Sequence, residues 1–364
     1  MRLFLIGNYE LQETRSMHLY CKLLKKKIRC SKIKINIIRA KPFFSNFNLH
    51  NKFLKKWFEY LDKYLIFGLI LFFKVKPNDI VHICDHANSL LYLFLRTKKI
   101  IITCHDLINI KLLYKNNNKS LKKDLKITGK IYQYLIIFFL KKIKYIVCVS
   151  INTKIELIKY LKINKDNIFV IYNSINQNFN KIKIKKYSLT NKFLLHVGGN
   201  NWYKNKQCVI KTFYHLTRFS KYQDYKLVLA GSKLNKEMKI LISRLKINHK
   251  VKNIIDPKTS KLSELYANSE GLIFPSVEEG FGWPIIEAQL HGCPVYIIDK
   301  SPMNEIANKA CIFIYSYKYL KNAHIINNTN NIRKKIIELG FNNLKRFKLK
   351  KFTSSYSELY LKLI

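Results

Sequence analysis

Residues 274–288 read Phe-Pro-Ser-Val-Glu-Glu-Gly-Phe-Gly-Trp-Pro-Ile-Ile-Glu-Ala. The apolar run Gly271–Phe274 just before them predicts a buried strand that ends at Pro275. Pro284 suits a first helical position, and Gly292 predicts the close of that helix about two turns later. Between strand and helix, Gly280 and Gly282 let backbone N–H groups come close to a ligand. Such a loop running into a helix N-terminus suits an anion, because unpaired amides and the helix dipole both favour negative charge. Glu279 and Glu287 add acceptor-only carboxylates able to receive two O–H donors from a vicinal diol, as on a ribose or hexose. Taken alone, the two carboxylates fit a plainer reading, in which Glu287 complements the dipole and the glycines turn the chain.

Outward from this stretch the chain alternates short β-branched runs with helical periodicity. Strands are predicted at 1–6, 32–38, 79–84, 100–104, 145–149 and 168–172, then at 193–197, 226–230, 251–255, 271–274, 294–298 and 311–314. Helices are predicted over 12–26, 53–61, 205–219, 235–246, 260–268, 330–339 and 354–363, among others. Residues 173–191 lapse into Asn, Lys and Ser with little periodicity and read as a connection. The fold class expected is α/β, with two doubly wound, Rossmann-like parallel-sheet domains facing a cleft. Their bounds are 1–172 and 192–345, followed by a C-terminal helix within 346–364. A length of 364 residues fits two domains better than one.

The formal charge of +45 is spread along the chain as lysine interleaved with Asn and Ile. It predicts attraction to anionic partners. No basic-aromatic motif, helix-turn-helix pattern or zinc-finger spacing accompanies it, so no nucleic-acid partner is expected. The eight cysteines include no Cys-x-x-Cys pair, so neither a metal site nor a redox dithiol is indicated, and a reducing, cytoplasmic compartment is expected. The N-terminus turns polar too early for a secretory signal. The longest apolar run, Leu65–Phe73, would span only about 14 Å as a helix, under half a bilayer core of ~30 Å. The stretch Phe53–Tyr64 sets aromatic residues beside lysines. That pattern predicts peripheral contact with the anionic inner face of a membrane, or else an ordinary helix packed on the sheet.

Two further places carry candidate chemistry. At residues 196–206, His-Val-Gly-Gly-Asn-Asn-Trp-Tyr-Lys-Asn-Lys, a strand again ends in glycines before a helix. Gly198 and Gly199 could cradle an anion there, with Lys204 as a point charge on a diphosphate. At residues 103–107, His105 and Asp106 directly follow a buried strand. Asp85-His86 also ends a strand and ranks below them.

The string Pro-Ser-x-x-Glu-Gly-Phe-Gly-x-Pro-x-x-Glu-Ala resembles the donor-site signature of family-four (group 1) retaining glycosyltransferases, which have the GT-B fold. The likeness runs through Pro275, Ser276, Glu279, Gly280, Phe281, Gly282, Pro284, Glu287 and Ala288. It implies that Glu279 faces the donor sugar, that Glu287 holds the nucleotide ribose, and that Gly280, Phe281 and Gly282 belong to the donor site. It implies diphosphate binding by Lys204. An arginine common in that loop is missing here, and Lys206 is the replacement at hand. His-Asp-Leu at 105–107 also matches, with the imidazole near the reacting sugar. The activity implied is retaining transfer of a hexosyl group, mannosyl among the candidates, in surface polysaccharide or lipopolysaccharide synthesis. The donor is a nucleotide-diphosphate sugar, a substrate and not a cofactor, and the acceptor a glycan or lipid-linked hydroxyl. No metal is expected, since the chain has no Asp-x-Asp. The resemblance also implies that the C-terminal helix crosses back to the first domain. The alternatives are a sugar-nucleotide epimerase or hydrolase of the same fold, and a basic non-enzymatic anion-binding protein.

Overall fold

Two six-stranded sheets, parallel at every described pairing, carry the chain. The structure is a computed structural model and describes residues 1–12, 15–28, 33–47, 51–117, 125–175, 179 and 192–364. The first sheet holds β1 (Arg2–Ile6), β2 (Lys34–Ile38), β3 (Ile80–Ile83), β4 (Ile100–Cys104), β5 (Tyr145–Cys148) and β6 (Ile168–Val170), ordered β2-β1-β3-β4-β5-β6. The second holds β7 (Phe193–Gly198), β8 (Lys226–Gly231), β9 (Val251–Ile255), β10 (Gly271–Phe274), β11 (Val295–Ile298) and β12 (Ile312–Ile314), ordered β12-β11-β10-β7-β8-β9.

The composition of each strand follows from its place. Central β4, Ile-Ile-Ile-Thr-Cys, is buried at every position because helices cover both faces. Edge strand β2 is half-buried or exposed throughout, and edge strand β12 points Phe313 outward. Strand order reverses between β1 and β3 in the first sheet and between β7 and β10 in the second. In open parallel sheets the loops after such neighbouring strands diverge and leave room for a ligand.

The chain divides into two compact units, Met1–Tyr172 with Lys350–Ile364, and Asn173–Leu349. Most of the expected connection at 173–191 lies outside the described residues. The last helix, Leu349–Leu361, sinks Tyr356 and Tyr360 into the first unit. Tyr20 OH bonds both Tyr356 OH and, at 2.9 Å, Thr103 Oγ1. His82 closes the cluster, with Nε2 2.7 Å from Thr103 Oγ1 and Nδ1 2.7 Å from Tyr360 OH. All five groups are buried, so their polar atoms must find one another.

The expected helix at 53–61 is the start of a longer run. Lys52–Tyr60 is α-helical, Leu61–Ile66 widens into a π segment, and Phe67–Lys74 resumes the α-helix. Asp62 turns inward and accepts from Phe43, Phe44 and Ser45 N–H and from Ser45 and Tyr9 hydroxyls. Burial would raise its pKa, but those donors hold it below the usual carboxylate range. No helix among the described residues is long and apolar enough to cross a membrane.

Candidate active site

The loops leaving β7 and β10 converge at the strand-order reversal of the second sheet. Val277 N–H donates to Tyr203 O at 2.8 Å and stitches them together. Across that seam Lys204 Nζ lies 2.6 Å from Glu279 Oε1, the two side chains 14 % and 10 % exposed. Lys204 also sits 5.3 Å over the Phe274 ring. The sequence singled out both residues, and the structure brings them together as an ion pair.

Glycine permits this closeness. A Cβ on Gly198 would lie 3.3 Å from Lys204 Cδ, and one on Gly231, at φ 135°, would meet Gly198 O at 2.3 Å. Gly199 faces Ser232. Beneath Gly198 the buried ring of His196 donates from Nδ1 to Ile273 O at 2.9 Å. Burial drives its pKa down to about 3, with Lys206 and Lys204 adding to that, so the ring is neutral. His196 Nε2 and Ser276 Oγ are buried with no hydrogen-bond partner among the described residues.

Lys206, at the start of helix Lys206–Leu216, is buried and donates to Asn200 Oδ1 at 3.0 Å. Burial and then neighbouring Lys204 push its pKa down to about 8. Two cations thus stand side by side with one carboxylate between the loops, an arrangement receptive to an added anion.

Gly282, at φ 95° and ψ 52°, turns the chain into helix Trp283–Leu290, with Pro284 in the first turn. Pro284 has no N–H and Ile285 N–H folds back on Gly282 O at 3.0 Å. Anion-binding capacity at this helix start therefore rests with the loop amides around Gly280 and with the dipole. Phe281 stands between the two glycines of the expected donor loop. It is 4 % exposed and packs edge-on against Trp283 and Phe347, so its ring is core. Glu287 is half-buried on the helix, and Tyr266 OH donates to its Oε2 at 2.8 Å. Burial, then Glu287, raises the Tyr266 pKa well above normal, which keeps that donor protonated. His291 stacks on Tyr266 and donates from Nδ1 to the Glu287 carbonyl at 2.7 Å. Sequence reasoning missed Tyr266 and Asn200, because neither stands at a fixed spacing from the residue it holds.

In the first unit, His105 Nε2 donates to Cys84 O at 2.8 Å, which fixes the tautomer and leaves Nδ1 the acceptor. Burial lowers its pKa against the pull of Asp85, so the ring is neutral near pH 7. Asp106 Oδ1 accepts from Ile108 N–H at 3.0 Å, just ahead of the short helix Ile108–Lys111. Asp85, ranked lower by sequence, is the more elaborately held carboxylate. It accepts from Asn8 at 2.9 Å and from Ala87 N–H at 3.0 Å, and lies 3.4 Å from His86 Nδ1. Burial would raise its pKa, but His86, His105 and these donors keep it low. Asn8, which also accepts from Asn88 at 2.7 Å, comes from the loop after β1, beside the reversal in the first sheet. Among the described residues no group of three or more His, Cys, Asp or Glu could hold a metal ion.

Comparisons with known proteins bear on the family and the fold. Residues 177–334 match the family described as glycosyl transferases group 1, and residues 42–179 match glycosyltransferase family 4. The O-antigen chain mannosyltransferase RfbU of Salmonella typhimurium is 26 % identical over 185 residues, 50 % of each chain. An uncharacterised glycosyltransferase of Haemophilus influenzae is 34 % identical over 159 residues, 43 % of each chain. The chain thus spans about half the length of the curated relatives it matches. Among solved structures, sucrose-phosphate synthase of Thermosynechococcus elongatus superposes with a TM-score of 0.76 at 14 % identity, covering 100 % of this chain and 99 % of that one. HepE of Anabaena, in complex with UDP and glucose, gives 0.74 at 14 % identity over 100 % of both chains. At such identities the likeness speaks to the fold.

Proposed function

The chain belongs to the group 1 glycosyltransferases of the GT-B fold, and from that premise we propose that it transfers a hexosyl residue, with retention, from a nucleotide-diphosphate sugar to a hydroxyl of a glycan or lipid-linked acceptor. Kinship with an O-antigen mannosyltransferase supports a mannosyl donor and a role in surface polysaccharide synthesis. The single observation that carries the reading is the Lys204–Glu279 pair between the two glycine loops.

In the proposed step the bond from the anomeric carbon to the diphosphate oxygen breaks, and a bond to the acceptor oxygen forms on the same face. The departing diphosphate takes the acceptor proton. The chemical task is to stabilise charge growing on that leaving group. Lys204, Lys206 and the loop amides near Gly198, Gly199 and Gly280 perform it, in place of a metal ion. Glu279, released by Lys204, receives sugar hydroxyls, and Glu287, oriented by Tyr266, receives those of the ribose. His105 and Asp85 are assigned to the acceptor-side unit.

The test is thermal stabilisation by a panel of sugar nucleotides, followed by product analysis with the donor that stabilises. A ligand at 100-fold its dissociation constant should add roughly 2.7 kcal/mol. The expected product carries a new glycosidic bond with the donor's anomeric configuration. Stabilisation by no member of the panel, or release of free or epimerised sugar regardless of acceptor, would sink the proposal.

A further inference from the structure

The helical run 52–74 is apolar on two faces, burying Phe67 and Leu71 in the core and exposing a second apolar stripe to solvent. Asp62 and Lys63 are buried, while Leu54, Trp57, Leu61, Leu65 and Leu69 are 37–51 % exposed. Their spacing of three or four residues makes one outward stripe, and Phe73 at its end is 78 % exposed. Helix Ile127–Lys142 does the same. Ile127, Ile131, Tyr134, Leu135 and Phe138 are 41–76 % exposed, while Ile136 and Leu140 are buried with Gln133. The two helices are neighbours, joined where Tyr64 OH meets Tyr132 OH at 2.6 Å and where Tyr60 packs on Tyr132. Isolated exposed apolar residues are ordinary, but two adjoining stripes of them mark an interaction surface.

The charges nearby narrow the occupant. Residues 51–76 and 125–144 together contain eleven lysines, of which Lys63 is buried, against Glu59 and the buried Asp62. A second copy of this chain would bring the same lysines and a net charge of +45, so self-association on this face is opposed by like-charge repulsion. A nucleic acid would meet the lysines but offer nothing to the leucines. A bilayer surface with anionic headgroups meets both, taking the apolar stripe at the acyl boundary and the ammonium groups among the phosphates. Trp57 and Tyr134, each apolar with a polar edge, suit that depth.

We propose that the paired helices 52–74 and 127–142 form a docking face for a membrane surface bearing anionic lipid, seated on the bilayer without crossing it. The proposal goes beyond the transfer reaction and holds whatever donor the second unit binds.

Sedimentation of the full chain with phosphatidylcholine vesicles, with and without phosphatidylglycerol, tests it at low and high salt. Binding should require the anionic lipid and weaken with salt. Trp57→Glu with Leu65→Glu, and separately Ile131→Glu with Phe138→Glu, should each weaken vesicle binding by about tenfold or more. Ile240→Glu, at an exposed site in the second unit, should leave it unchanged. All of these positions are exposed, so thermal unfolding should confirm intact folds. No binding of the parent chain to anionic vesicles overturns the proposal. So does binding that survives both apolar double variants, which would mean adsorption by charge alone. A parent dimer in analytical ultracentrifugation that the same variants dissociate would assign the face to a second copy instead.

Discussion

Lys204 Nζ and Glu279 Oε1 approach to 2.6 Å, although they belong to loops that follow different strands, β7 and β10. Each is the other's counter-ion, so any phosphate that recruits Lys204 must compete with Glu279. Glu279→Gln removes that competitor at constant size. Affinity for the free nucleoside diphosphate should then rise severalfold in calorimetry, while turnover falls because the sugar loses its carboxylate. A loss of affinity would contradict the pairing.

Lys204→Ala deletes the cation nearest the proposed leaving group and leaves Glu279 uncompensated. Removing one preorganised charge partner costs about 3 kcal/mol in the transition state, so kcat/KM should drop on the order of a hundredfold. A loss seen in KM alone, with kcat intact, would reduce Lys204 to ground-state binding.

Glu287→Gln should weaken nucleotide affinity about tenfold to a hundredfold, since charge-assisted hydrogen bonds contribute about 1.5–3 kcal/mol. Tyr266→Phe should produce a smaller loss, because it removes only the hydroxyl that orients the carboxylate. The contrast between Glu279 and Glu287 carries the donor-site assignment. Equal effects on free nucleotide at both positions, or none at either, would falsify it.

Lys206 gives a pH signature. Its pKa is about 8 in the folded chain against 10.5 ordinarily, because burial, then Lys204, disfavours the ammonium. Below about 8 both states are protonated and the cost of burying the charge is fully present. Between about 8 and about 10.5 the unfolded chain holds more protons, so this group makes stability rise with pH. Lys206→Met should flatten that rise in denaturant titrations at about pH 7 and about pH 9.5. It should also abolish a decline of diphosphate affinity above about pH 8, where Lys206 loses its charge.

Tyr360→Phe strands His82 Nδ1 in a buried site where its neighbour was the phenol, 2.7 Å away. Burial already drives His82 to about 3, so the ring cannot respond by taking a proton. A lost buried partner costs about 1–3 kcal/mol, and the thermal midpoint of the first unit should fall accordingly. An unchanged midpoint would show that the cluster is dispensable.

The strands were legible because parallel strands buried on both faces are apolar runs: Ile100–Cys104 and Gly271–Phe274 lie where periodicity put them. The glycine loops were legible because Gly198 and Gly282 answer to local backbone needs. What escaped depends on distant partners. Nothing beside Tyr20 announces Tyr356, and nothing beside Glu287 announces Tyr266. Periodicity drew an aromatic stripe along 53–61 but could not say whether it faced core or solvent, since both give the same spacing. The π segment and the helices Met303–Ala307 and Tyr319–Asn327 also went unread, their apolar content being low or interrupted.

The bond from Tyr20 to Tyr356 spans 336 residues of chain. A ribosome adding about 5–20 residues per second needs roughly 20–70 seconds to cover that distance. Until Tyr356 and Tyr360 are made, Tyr20 and His82 in the nascent first unit have only Thr103 to bond. Synthesis of the second unit therefore runs while the first has an open, polar-lined wound in its core. A chaperone that shields this wound during translation, or a slow stretch of codons near residue 350, should change the yield of folded chain.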